Sequence, residues 1–245
     1  MSLNEVSLAS ASLRQYIFKL KGYSTLSFGL LMAQIFALFS SFGGMSGSMS
    51  SGSEELRVSV SNYSGNIAIA FTLIWIVIMA ITLTTKLYRN RGFTLVTNRV
   101  SDNLSNIGVL LTACVFGGTT ASLSGVLLRV VMYFTFNRSQ IVTNGFHVAY
   151  SDLLLGMAVS VLYLVLVAAI GYLIGILTQI HIIFAILIPA LLVGLPRTYT
   201  HTVQSIIEYY VLETVPLLFA LKIIITAMVL FGLSVLLSNR MEVRE

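Results

Sequence analysis

The sequence predicts an all-α integral membrane protein with six transmembrane helices, an N-terminal interfacial helix and a re-entrant helical segment before the last span. Three observations predict it. The 245 residues are 57% hydrophobic and only 9% charged, where soluble domains carry roughly 25% charge. The apolar residues fall into six long runs divided by polar connectors. The basic residues crowd into one of those connectors, Lys86 to Arg99. A soluble globule this apolar would expose large patches and aggregate, whereas lipid accepts apolar surface.

The first segment, residues 1–22, is polar to amphipathic. Leu13, Tyr16, Ile17 and Leu20 follow i, i+3, i+4, i+7 spacing, with Arg14, Lys19 and Lys21 off that stripe, as in a helix lying in the membrane interface. The polar first dozen residues and the long apolar run after them do not read as a cleaved signal peptide.

Span one, about Tyr23 to Phe42, has the ~20 residues a crossing needs. Gly43 to Asn66, rich in Gly, Ser and Met, reads as a loop. Span two covers about Ile67 to Thr85. Span three runs from about Leu104 to Leu128 and contains Gly108, Gly117, Gly118 and Gly125. Such small residues let helices approach closely in lipid or mark a kink. Phe134 to Ser151 is a polar loop, and span four covers about Leu153 to Leu177.

Span five, about Ile182 to Leu195, is short, is ended by Pro196 and has Pro189 inside it. Residues 196–213 follow. Val203, Ile206, Ile207 and Tyr210 make an apolar helical stripe there, opposite His201, Gln204, Ser205 and Glu208. A short crossing followed by an amphipathic helix predicts a segment dipping into the outer leaflet. Span six, about Thr214 to Leu237, precedes a charged tail.

Six spans put both termini on one side. That side holds nine of the lysines and arginines outside the spans and the other side four, which favours cytoplasmic termini. The same rule accounts for the net charge of +5. No basic stripe interleaved with aromatics points to nucleic acid.

The chemistry of a catalytic site is missing from the pattern. His147, His181 and His201 have no i, i+4 histidine partner, and neither H-E-x-x-H nor G-x-S-x-G occurs. No catalytic residue and no metal ligand set is predicted. The single cysteine, Cys114, sits in an apolar run as a packing residue. Lys222 is the one lysine or arginine within a span, about 12 Å from its outer end at 1.5 Å per residue. It can snorkel outward or meet Glu208 or Glu213 in an outer gate or in-membrane polar pair. No phosphate-cradling G-x-x-x-x-G-K-[ST] loop occurs, so energy for active transport would come from a partner.

The connector, residues 86–103, carries apolar Phe93, Leu95 and Val96 among Arg89, Arg91, Gly92, Thr94 and Arg99. A short amphipathic helix beginning near Gly92 and ending at Asn98-Arg99-Val100-Ser101 would press an apolar knob into a cleft on a soluble partner.

On these residues and this order of features, the chain resembles an ABC transporter permease of the type-two exporter class. The resemblance covers nearly the whole chain as a single permease domain, 1–245. The pattern Arg91-Gly92, apolar residues, then Asn98-Arg99-Val100-Ser101 is similar to the family's coupling segment, although the proline common there is absent and Arg99 precedes Ser101. The resemblance implies a dimer with a second permease chain, separate ATP-binding cassette subunits that hold the ATP and magnesium, and a bacterial plasma membrane. It also implies export of a peptide, toxin, lipid, polysaccharide or drug. No cofactor is expected on this chain itself. An alternative is the substrate-binding membrane component of a vitamin or metal importer, which would capture its ligand without ATP. An intramembrane enzyme would need catalytic residues within the spans.

Overall fold

The computed structural model describes residues 8–22, 24–42, 48–53, 56–61, 65–85, 87–88, 99–135, 149–181, 183–211, 213 and 215–240. In chain order these form α1 (Leu8–Gly22), α2 (Ser24–Phe42), β1 (Ser48–Ser53), β2 (Leu56–Ser61), α3 (Asn66–Thr84), α4 (Arg99–Thr135), α5 (Tyr150–Ile180), α6 (Ile183–Thr198), α7 (Thr200–Val211) and α8 (Pro216–Arg240). The described residues are therefore overwhelmingly helical, as expected of an apolar chain in lipid, where a helix satisfies every backbone group internally.

Among the described residues, four helices are long and apolar enough to cross a membrane: α3, α4, α5 and α8. The apolar stretches Phe28–Phe42 of α2 and Ile183–Thr198 of α6 are shorter. At 37 residues, α4 is about 55 Å long, well beyond a hydrocarbon core of about 30 Å.

Several boundaries differ from those the sequence predicts. Part of the expected loop after α2 is an antiparallel hairpin, with Ser48 opposite Ser61 and Ser53 opposite Leu56. Its signal was present: Leu56, Val58 and Val60 alternate with Arg57, Ser59 and Ser61, the period of a half-buried strand. Arg99-Val100-Ser101, expected to end a short connector helix, instead opens α4. Asp102 lies in that first turn, where a carboxylate complements the positive end of the helix dipole. Pro196 does not end α6, which continues to Thr198 with both Pro189 and Pro196 inside it. A proline so near the C-terminus forfeits one backbone bond with only two residues of helix left to disturb.

The chain divides into two compact units. One comprises Met1–Ser24, Ile76–Cys114 and Val165–Glu245; the other comprises Thr25–Trp75 and Val115–Leu164. In the first, Ile76, Leu110, Tyr172 and Ile223 are fully buried. Gly171 and Gly175 of α5 let its backbone approach α3: a Cβ on Gly171 would lie 3.1 Å from Ala80 Cβ, and one on Gly175 3.2 Å from Ile81 Cα. In the second, Leu30, Ala68, Ala121 and Leu164 are buried. Phe36 meets Phe71 edge to face with ring centroids 5.4 Å apart. Gly118 of α4 faces the α5 backbone at Val161, and Gly65 faces Gly125 of α4. The glycines of α4 thus act as close-contact points within an unbroken helix.

Candidate functional site

A buried polar cluster in the first unit begins on α1. Buried Ser12, Gln15 and Lys19 recur at i, i+3, i+7 and make one polar face. Of the stripe picked out by sequence, Leu13, Ile17 and Leu20 are exposed and Tyr16 is half-buried. The helix therefore docks by its polar face and turns its apolar face outward. This is the reverse of a soluble amphipathic helix and suits a lipid surround.

Lys19 is only 4% exposed. Its Nζ donates to Asp102 Oδ1, Ser105 Oγ and Asn106 Oδ1, each at 2.6 Å, and sits 3.2 Å from the Asp102 carbonyl oxygen. All of these acceptors belong to the first two turns of α4. An ammonium has three donors, and here all three are met by near-ideal partners. Burial pushes the Lys19 ammonium below the ordinary lysine value, while the Asp102 carboxylate beside it pulls the other way. A buried charge of this kind is tolerated only when paired and hydrogen-bonded.

The network continues inward. Ser101 Oγ donates to Gln15 Oε1 at 3.0 Å, a second tie between α1 and α4. Asn106 Nδ2 donates to Tyr172 Oη at 3.4 Å, and Tyr172 Oη donates to Asn103 Oδ1 at 2.9 Å. Tyr172 is fully buried, and its ring lies 6.0 Å from that of Phe231. The α5 phenol and the α8 ring thereby support the α4 amides. Among the described residues, Gln15 Nε2 and Asn103 Nδ2 have no hydrogen-bond partner.

Beside this network is a cavity of about 20 Å³ lined by Arg99, Asp102, Asn103, Asn106 and Tyr172, room for about one water. Its remaining walls come from the last turns of three helices: Leu83 and Thr84 of α3, Ile176 and Gln179 of α5, and Ser238 of α8. Helix C-termini carry a partial negative charge, worth typically 0.3–1 kcal/mol each to a nearby cation. Three such ends and one carboxylate line the cavity together with Arg99.

The sequence-predicted connector residues Arg89, Arg91, Gly92, Phe93, Thr94, Leu95 and Val96 lie outside the described residues. Arg99, predicted with them, opens α4 and lines the cavity. Of the outer polar trio, Lys222 Nζ on α8 donates to Glu213 Oε2 and lies 3.9 Å from the centroid of the Tyr209 ring. Glu208 is not drawn into that pair; its Oε1 accepts from Gln204 Nε2 at 3.0 Å along α7. Glu208 and Gln204 are one turn apart on a helix, so their bond costs no reorganisation.

Sequence reasoning missed Gln15, Lys19, Asp102, Asn103, Ser105, Asn106 and Tyr172 as a group. The signal was the polar run Ser101-Asp102-Asn103-Leu104-Ser105-Asn106 leading into an apolar helix. Among the described residues, no group of three His, Cys, Asp or Glu is placed to hold a metal ion. The site pairs charges and fixes helices; it presents no activated nucleophile. Comparison with known protein families, with curated proteins and with solved structures finds no match to this chain.

Proposed function

We propose that this chain is the membrane-spanning permease subunit of an ATP-driven exporter, working with a second permease chain and powered by separate ATP-binding subunits. In this reading α2 and α6 join the four long helices as six spans, residues 196–213 enter the outer leaflet, and both termini are cytoplasmic. The connector before α4 is the seat of the ATPase.

One observation carries the reading. The basic, partly apolar connector immediately precedes α4 in the sequence, and the start of α4 is clamped to α1 by the Lys19 cage and the Gln15–Ser101 bond. A push on the connector would therefore not be lost in a frayed helix end. It would move α4 and α1 together, and so bias how the spans pack. The chain contributes no nucleotide chemistry; it converts a partner's movement into an opening.

The test has two arms. A cysteine placed at Leu95, in a chain with Cys114→Ala, should resist a membrane-impermeant maleimide in intact cells and react after lysis. The full complex, extracted in mild detergent, should hydrolyse ATP, and Phe93→Asp should separate hydrolysis from transport. Labelling of position 95 from outside, or unaltered coupling in Phe93→Asp, would overturn the proposal.

A further inference from the structure

We propose that the cavity beside the first turns of α4 is a binding site for one water molecule, which accepts a hydrogen bond from Asn103 Nδ2 and donates to the Asp102 carboxylate and to Thr84 Oγ1. The water joins α4 to the end of α3. This stands whether or not the connector seats an ATPase.

The side chains around Asn103 leave one donor over. Asn106 Nδ2 donates to Tyr172 Oη, and Tyr172 Oη donates its own hydrogen to Asn103 Oδ1 at 2.9 Å. A phenol has a single hydrogen to give, so this chain of bonds fixes the Asn103 amide with its oxygen toward Tyr172. Asn103 is 5% exposed, and among the described residues its Nδ2 has no protein partner. Buried amide donors are rarely left so, because an unmade bond costs the full desolvation of the group. Asn103 also lines the cavity, whose volume of about 20 Å³ takes about one water.

The walls choose the ligand. Asn103 brings an N–H donor and Arg99 a guanidinium, and both repel a cation. Asp102 and the last turns of α3, α5 and α8 line the same space, and a carboxylate with three negative dipole ends repels an anion. Water is neutral, and it accepts and donates at once. Its two acceptors are at hand. Thr84 Oγ1 spends its own hydrogen on the Ile81 carbonyl at 2.6 Å, so its lone pairs can accept. Lys19 engages Asp102 Oδ1, and a carboxylate offers about four lone-pair sites. A buried water typically makes about three hydrogen bonds, the number that Asn103, Asp102 and Thr84 supply.

Crystals of the full chain grown in lipid, one set soaked in rubidium bromide, test this at a resolution that shows ordered water. The expected result is a single density peak within about 3.2 Å of Asn103 Nδ2, with no anomalous signal from rubidium or bromide. The absence of a peak, an anomalous signal in the cavity, or an Nδ2 bonded to a protein oxygen would overturn the proposal. In solution, X-ray radiolysis converts a bound water to a hydroxyl radical beside Tyr172, whose ring is fully buried. Tyr172 should therefore be oxidised in wild type and lose that oxidation in Ser238→Val, whose added methyl groups fill the cavity from its α8 wall. Equal oxidation in a Ser238→Val chain with the wild-type melting temperature counts against the water. Thr84→Val removes one acceptor at nearly constant volume and keeps the solution test open if Ser238→Val does not fold. Its Tyr172 oxidation should fall below wild type, and equal oxidation would again overturn the assignment.

Discussion

Lys19 Nζ and Asp102 Oδ1 stand 2.6 Å apart although 83 residues separate them in the chain. The pair joins α1 to the first turn of α4 and is the only one of the described contacts between those helices that carries formal charge on both sides. Its value lies in what is left when one member is removed. Lys19→Met keeps most of the stem's apolar packing but leaves a carboxylate, a hydroxyl and an amide oxygen facing each other. Breaking a buried pair from one side costs about 3–5 kcal/mol, so unfolding in detergent should show a loss of about that size. Lys19→Met/Asp102→Leu, which removes both charges, should recover most of it. A Lys19→Met variant as stable as wild type would show that the cage contributes nothing.

The same pair sets a pH signature. Burial lowers the folded-state value of Lys19 below 10.5, with Asp102 opposing. Between the lowered value and 10.5, the unfolded chain holds more protons than the folded one, so the Lys19 contribution to stability rises with pH. Below that window the contribution is constant. Melting temperatures of wild type and Lys19→Met, taken in parallel from neutral to alkaline pH, should therefore diverge in favour of wild type as pH approaches 10.5. A difference that stays flat or shrinks across that range contradicts the assigned direction.

Helix contacts within the second unit make a sharper prediction, because two of its helical glycines differ in what surrounds them. A Cβ on Gly118 would lie 2.6 Å from Val161 Cγ2 and 3.0 Å from Val161 Cα and N, whereas one on Gly156 meets nothing within 4 Å. The valine methyl can rotate, but the α5 backbone cannot yield without moving the helix. Gly118→Ala should cost about 1–3 kcal/mol, the usual penalty of overpacking. Gly156→Ala should be neutral or mildly stabilising, since alanine is the better helix former. Equal melting temperatures for the two variants would mean that the α4–α5 approach is looser than these distances require.

How much of this was legible in the sequence follows from which forces leave a local trace. Long apolar runs predict helices such as α3 and α5 because lipid demands them wherever they pack. The glycines of α4 were visible as small residues, and Gly118 against Val161 gives them a reason. The faces of α1 were also visible, but periodicity cannot say which face meets protein. Leu13 and Ile17 read as the apolar stripe of an interfacial helix and they are exposed, but nothing in the stripe told that the polar Gln15 and Lys19 dock on α4. The Lys19 cage left half a trace: the polar run Ser101 to Asn106 was visible on α4, but Lys19 looks like one more basic residue in a basic segment and nothing local says that it meets that run. The hairpin was missed for a different reason, since serine-rich composition masked the alternation of Leu56, Val58 and Val60.

Charge, not burial alone, decides the weight of a buried polar side chain, and Gln34 in the second unit tests this. It is 6% exposed, comparable to Lys19. Its Nε2 donates to Thr120 Oγ1 at 2.9 Å and to Thr72 Oγ1 at 3.4 Å. Those threonines already place their own hydroxyl hydrogens on carbonyls of their own helices, Thr72 on Ala68 at 2.7 Å and Thr120 on Phe116 at 2.8 Å. Removing Gln34 therefore strands no donor, only spare acceptor capacity. Interhelical hydrogen bonds of this neutral kind average about 0.6 kcal/mol in membrane proteins. Gln34→Leu, which nearly keeps the volume, should cost less than about 1 kcal/mol, several-fold less than Lys19→Met. Gln34→Ala should cost more than Gln34→Leu because it also opens a cavity. Should Gln34→Leu prove as damaging as Lys19→Met in the same detergent, the Gln34 amide would be carrying a load that these two hydrogen bonds do not explain.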